Sequence, residues 1–390
     1  MKKPIPKCVV SLISAFLIGI FPKGAVSQPS PYHLLSLDGG GSRGAMEAVI
    51  LQDVMACLTL VKKGQLSEAK STGLDTADFR KKMRAKLDEQ IGKDDLLHPG
   101  DVFNMISGTS TGALMAFGLI HGQAYYTKCH NILFLHFTYH EFSLAFILIC
   151  KAQFSGKDGG RMSLSEVIDM YESKATTIFP TSWNDWLWGK VRLPGGLPWS
   201  PYSQDGLASV LREKFGSLSL RSVPRVETVV AAVARRHNHP LYPDKLEIFD
   251  TRQESSHPLV DVLKASACAP IYFQTPTMIG GIEYIDGGVG GNCPLAQAIP
   301  RMAELIGKDG KVGTVLSLAP PREARKEGVK GLLDWLPWFA GELTDGHAVY
   351  HDQELAHPDA TFLRLAPTSV AAKAFKMDSL DIAGMVESVR

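Results

Sequence analysis

Three short stretches hold residue types that do chemistry at informative spacing. Gly108-Thr109-Ser110-Thr111-Gly112 is a GxSxG sequence; its glycines permit the strained turn that lifts a serine hydroxyl clear of the backbone as a nucleophile. A serine hydroxyl attacks poorly unless a base takes its proton. Asp286-Gly287-Gly288 follows a short apolar IEYI stretch and precedes Val289-Gly290-Gly291-Asn292, so its carboxylate is expected at a strand end in a glycine-rich turn, where catalytic side chains are often held. An aspartate before glycine also commonly just closes a turn on its own backbone. The third stretch is Asp38-Gly39-Gly40-Gly41-Ser42-Arg43-Gly44. Between a strand and a helix, its successive amides, with no side chains in the way, can converge on an anion.

These groups need elements to carry them. His33 to Leu37 reads as a short buried strand, and Ala45 to Val61 has helical periodicity, so the glycine loop sits in a strand-to-helix turn. Val102 to Ile106 reads as a second strand running into Gly108, followed by a helix over Ala113 to Ile120, the context of a nucleophile elbow. The helix that starts just after Ser110 points its positive end at charge developing there. Further strands are expected at Glu227 to Ala234, Leu246 to Phe249, Gly313 to Leu318 and Thr361 to Leu365, with helices near Leu259 to Ala267 and Leu295 to Leu305. Strands alternating with helices predict an α/β fold with a mostly parallel sheet.

Other chemistries find less support. Gly39, Gly41 and Gly44 also satisfy GxGxxG, but a dinucleotide site needs a second strand ending in an acid about 20 residues on, and the region around Glu68 is a polar KGQLSEAK run. His136 and His140 at i, i+4 could share a helical face toward a metal, with no third ligand specified. No calcium loop or metal cluster is visible, so metal independence and the absence of a cofactor are expected. The six cysteines are scattered without a disulfide framework or CxxC pair, and Cys268 and Cys293 read as small buried hydrophobes.

With 390 residues and 45% hydrophobic content the chain can build a large core. Its 41 basic and 40 acidic residues leave no single-sign field of the kind a nucleic-acid binder carries. The first 27 residues contain Lys2, Lys3, Lys7 and Lys23, no acid, an apolar run from Cys8 to Phe21 and Ala25-Val26-Ser27. This reads as a cleaved secretory signal, with an uncleaved anchor as the alternative; residues 28–390 would then carry a charge of about −3. The stretch from His121 to Cys150 breaks the texture of the chain, with four of the twelve His and four of the seventeen Phe. Its 19-residue apolar run includes His136, His140 and Glu141, which are costly in lipid, so it is expected to be a lid, a buried excursion or a gene-model error. All six tryptophans fall in two groups, Trp183, Trp186, Trp188 and Trp199, then Trp335 and Trp338. They suit either a lipid interface or aromatic packing around loops. Arg235-Arg236-His237-Asn238-His239 reads as a solvated turn or a headgroup contact.

Together, the DGGG-R-G loop, the GxSxG serine and the DGG aspartate, in this order, resemble the patatin-like phospholipase family. Ala265-Ser266-Ala267-Cys268-Ala269-Pro270-Ile271-Tyr272-Phe273, Tyr350-His351-Asp352-Gln353 and Phe362-Leu363-Arg364-Leu365 add to the likeness. It runs from about residue 32 to the C-terminus, interrupted at about 121–161, after which Met162 to Glu166 and Tyr171-Glu172 are again similar to the family's helix. The resemblance implies a three-layer α/β/α fold over 32–390. It also implies a Ser-Asp dyad of Ser110 and Asp286 and an oxyanion hole from the amides of Gly39, Gly40 and Gly41, with Arg43 steadying that loop or the anion. The implied activity is hydrolysis of membrane glycerolipids or other fatty acyl esters at a lipid surface, and the N-terminal signal pattern separately predicts export. Two other readings stay open: an α/β-hydrolase with a Ser, Asp, His triad drawn from His347, His351 or His357, and a catalytically silent lipid-binding protein. An acyltransferase would use the same dyad with a different acceptor.

Overall fold

The computed structural model describes residues 31–63, 96–120, 161–180, 202–220, 227–235, 245–252, 256–270, 272–273, 276–307, 310–321, 346–368 and 377–389. Residues 1–30, the stretch at 121–160, both tryptophan groups and residues 236–239 lie outside them. So do Glu68, Cys8, Cys129 and Cys150.

Eight strands form one sheet: β1 (Tyr32–Leu37), β2 (Met105–Thr109), β3 (Glu227–Arg235), β4 (Lys245–Asp250), β5 (Thr277–Ile279), β6 (Ile282–Asp286), β7 (Val312–Leu318) and β8 (Thr361–Leu365). Strands β3, β2, β1, β7 and β8 lie side by side in that order and run parallel. Period-two alternation divides the side chains of this sheet between two helical layers. Leu35, Leu37, Ile106, Leu316, Leu318 and Leu363 face one way, into a cluster with α1 (Gly44–Lys62), α2 (Thr111–Ile120), α3 (Leu164–Ile178) and α9 (Ile382–Val389). Leu34, Met105, Val315 and Phe362 face the other way, onto α7 (Leu295–Ile306) and Tyr350 of α8 (His347–Ala356). The fold is therefore the three-layer α/β/α arrangement with a mostly parallel central sheet. Helix α1 is long and apolar enough to cross a membrane, yet it is largely buried in the first of these layers.

One expected strand is displaced. The reading Val102 to Ile106 becomes Met105–Thr109 in the structure, because Pro99 opens a 3₁₀ turn over Pro99–Asp101 capped by His98. The strand then continues through Gly108 to the residue before the serine, since parallel partners wait on both sides, Leu34 opposite Met105 and Ala231 opposite Thr109. The remaining helices are α4 (Gln204–Phe215), α5 (Leu259–Ala267) and the single turn α6 (Gly288–Gly291). Helix α3 opens with a capping box in which Glu166 N–H donates to Ser163 Oγ at 3.2 Å and Ser163 N–H donates to Glu166 Oε2 at 2.7 Å.

The antiparallel part of the sheet sets the geometry that matters. Strand β4 pairs with Val229 to Ala234 of β3, a stretch that overlaps both the β2 pairing at 227–231 and the β6 pairing at 232–235. A strand has two edges, so β2 and β6 must share the edge that β4 does not use. They run in opposite directions along it, and their C-terminal ends meet: Thr109 is opposite Ala231 and Asp286 is opposite Ala232.

Candidate active site

Ser110 is the first residue past the end of β2, and Asp286 is the last residue of β6. Their end-to-end approach brings the side chains together: Ser110 Oγ donates to Asp286 Oδ2 at 2.7 Å, with both residues buried. Ser110 has φ = +54°, the one positive value at a non-glycine among the described residues. A left-handed backbone at a residue with a Cβ costs roughly 1–2 kcal/mol, strain that accompanies the sharp turn into α2. Close packing at the turn requires glycine at 108 and 112: a Cβ on Gly108 would strike the backbone of Gly112, and one on Gly112 would strike the carbonyl of Leu37. The N–H of Ser110 donates to Ser266 Oγ at 3.0 Å.

The other carboxylate oxygen of Asp286 accepts from Gly288 N–H at 2.6 Å. Burial pushes this carboxyl from 3.8 up to about 6, against the hydrogen bonds from Ser110 and Gly288, which favour the ionised form. The direct serine–aspartate bond leaves no space for an imidazole between the two groups. Of the three histidines considered from sequence, His347 and His351 lie on α8 and His357 is the residue just after it. His351 is exposed and its Nδ1 sits 3.2 Å from Glu354 Oε2.

The glycine loop packs directly on Ser110. A Cβ on Gly39 would come within 2.9 Å of Ser110 Cβ and 2.5 Å of Asn292 Oδ1. Gly41 takes φ = +59° with its Cα against the Met377 carbonyl, which also accepts from Ser42 N–H at 2.7 Å and Ser42 Oγ at 2.8 Å. Two of the amides expected to form the oxyanion hole have protein acceptors: Gly39 N–H donates to Asn292 O at 3.4 Å and Gly40 N–H to Thr111 Oγ1 at 3.2 Å. The first is longer than the ordinary N–H···O range and the second lies at its upper end. Arg43 is buried and closes the loop on itself, its backbone N–H and Nε donating to Gly40 O at 3.2 and 3.4 Å.

Three residues outside the motif assignments support this arrangement. Arg364 on β8 binds Asp38, the first residue of the glycine loop, with Nη2 at 2.6 Å from Oδ2 and Nη1 at 3.4 Å from Oδ1; Nη1 also reaches Ser317 Oγ at 2.5 Å. The clue in the sequence is an arginine inside the apolar FLRL strand, since a charge there needs a buried partner. Asn292 Nδ2 donates to Gly39 O at 3.2 Å, tying the loop after Asp286 to the glycine loop. Glu47 on α1 is fully buried behind Gly40 with neither carboxylate oxygen hydrogen-bonded. Burial first, then the Asp38 charge, holds its carboxyl well above the ordinary range. No group of three or more His, Cys, Asp or Glu that could hold a metal ion occurs among the described residues. Cys57, Cys268 and Cys293 form no disulfide among the described residues, and burial raises all three thiols to about 12.

A serine on a strained elbow, hydrogen-bonded to a buried aspartate under a glycine loop in a three-layer α/β/α fold, is an arrangement chemically able to carry out acyl transfer. The family model for patatin-like phospholipase matches residues 84–299, more than half of the chain, and the chain belongs to that family of lipid hydrolases. The match includes Ser110 and Asp286 and begins after the glycine loop. No curated protein matches the sequence. Among solved structures, the chain is similar to VipD from Legionella pneumophila at 11% identity, covering 92% of this chain and 67% of that one with a TM-score of 0.29, a likeness too distant to bear on the assignment.

Proposed function

We propose that this protein hydrolyses fatty acyl esters of phospholipids or other glycerolipids through an acyl-Ser110 intermediate, acting at a lipid surface after export. The observation that carries this reading is the 2.7 Å hydrogen bond from Ser110 Oγ to Asp286, within the reach a general base needs. Asp286 takes the proton as Ser110 Oγ forms a bond to the ester carbonyl carbon, and the carbonyl electron pair moves onto oxygen. The amides of Gly39 and Gly40 then turn from their protein acceptors to the oxyanion, joined by the amide of Gly41, each donor being worth about 3 kcal/mol. Arg43 acts through the loop it closes rather than on the anion. When the oxyanion collapses, the bond to the alkoxy oxygen breaks, and the proton held by Asp286 passes to the departing alcohol. Water repeats the sequence on the acyl-enzyme, giving its proton to Asp286 and releasing the fatty acid with Ser110 restored.

A carboxyl near 6 suits both halves of this cycle. At pH 7 about nine-tenths of it is ionised and ready to accept a proton, yet it binds that proton far better than an exposed aspartate does.

The test is fatty-acid release from mixed phospholipid vesicles in EDTA, comparing the mature protein with Ser110→Ala, Asp286→Asn and a triple alanine at His347, His351 and His357. The reading expects the first two silent and the third active. A folded but silent triple variant would favour a histidine-dependent triad. No release by wild type from phospholipid or a short-chain ester would leave a lipid-binding protein.

A further inference from the structure

Strands β2 and β6 lie end to end along one edge of β3, so no ladder hydrogen bond joins them and their pairing with β3 sets direction better than spacing. The 2.7 Å between Ser110 Oγ and Asp286, residues 176 positions apart in sequence, must therefore be held by something else. The last turn of α5 touches both sides of the junction. Ser266 Oγ accepts the Ser110 N–H at 3.0 Å, Ser266 O accepts the Gly287 N–H at 3.2 Å, and Cys268 O accepts the Asp286 N–H at 3.1 Å. Ser266 itself is 0% exposed, and its neighbours Ala265, Ala267 and Cys268 pack in one cluster with Ala113, Leu114 and Phe117 of α2.

We infer that Ser266 is a positioning residue of the dyad, a single side chain and carbonyl that bridge the nucleophile turn to the aspartate turn. The inference rests on the proposed ester hydrolysis. Ser110 lies past the last ladder pair of β2, Thr109 with Ala231, and a buried N–H left without an acceptor is costly. The Ser266 hydroxyl supplies that acceptor from an element that also fixes Gly287. The same bond occupies the Ser110 amide, which leaves anion binding to other donors.

The experiment compares wild type, Ser110→Ala, Ser266→Ala and Ser266→Cys on a soluble short-chain ester, with full pH profiles and thermal unfolding of each. The cysteine variant fills the space with a weak acceptor, separating loss of the hydrogen bond from loss of volume. Both Ser266 variants should lose about 10- to 100-fold in kcat, as for a displacement of about 1 Å in a reacting group, with KM within about twofold. The Ser110 hydrogen bond lowers the Asp286 carboxyl, so weakening it should also move the acid limb of kcat/KM to higher pH. A folded Ser266→Ala with wild-type kcat and an unmoved acid limb overturns the inference, as does a cysteine variant as active as wild type. If wild type is active, Ser110→Ala is silent and Ser266→Ala keeps the full rate, only this inference fails. Equal release by wild type and Ser110→Ala removes the hydrolase reading along with it.

Discussion

Replacing Asp286 by Asn should abolish activity and stabilise the fold. An aspartate whose carboxyl is raised from 3.8 to about 6 by burial holds its proton more tightly folded than unfolded. Between those two values the folded state therefore carries the extra proton, so stability falls as pH rises through that window and is level above it. At about 1.4 kcal/mol per pH unit, ionised Asp286 costs the fold roughly 3 kcal/mol at pH 8, about half that at pH 5 and less than 1 near pH 4. Asn keeps the shape and the acceptor for Gly288 N–H, and its amide can donate to Ser110 Oγ, so the variant escapes the cost without opening a cavity. With unfolding entropy near 2.1 cal/mol/K per residue, 3 kcal/mol over 390 residues corresponds to about 4 °C. Thermal unfolding of wild type and Asp286→Asn at pH 8, 5 and 4 reads this directly. A variant less stable than wild type at pH 8, or a gain that does not shrink toward pH 4, would refute the reasoning.

Arg364→Met leaves the Asp38 carboxylate buried without its guanidinium, and a loss of about 3–5 kcal/mol in denaturant unfolding is expected; the double variant with Asp38→Asn should lose less than the sum of the singles. Gly39→Ala places a methyl within 2.5 Å of Asn292 Oδ1 and 2.9 Å of Ser110 Cβ, so kcat should fall by about 100-fold in a protein that still folds. Glu47→Gln should remove a pH dependence: while Glu47 is protonated folded and ionised unfolded, wild type loses about 1.4 kcal/mol per pH unit relative to the variant. Unfolding curves of both proteins taken upward from pH 5 measure that slope, and parallel curves would contradict it.

Local chemistry carried much of this site in plain view. Both turns that matter pair glycine with a polar residue next to an apolar run, and the boundaries of α5 and β8 coincide with the stretches of apolar periodicity. The shift of β2 by three residues came from long-range pairing: alternation alone does not say that Gly108 and Thr109 will find partners on β1 and β3. The antiparallel β4, β5 and β6 left no mark of their direction in a one-dimensional pattern. Arg364 and Asp38 are 326 positions apart and Ser266 and Ser110 are 156 apart, so neither contact has a sequence signal beyond a polar residue inside an apolar run. Glu47 occupies a helix whose other buried positions are almost all apolar, a local inconsistency that only its place behind the glycine loop explains.

The collinear meeting of β2 and β6 also bears on how the protein is made. A growing chain that has reached β4 already carries Ser110 on its strand but has not yet synthesised Asp286, the last residue of β6. Until β6 docks against β3, the serine lacks its proton acceptor. On the proposed mechanism, partly folded chains are thus inert toward acyl esters, and hydrolytic competence arrives only with the completed sheet.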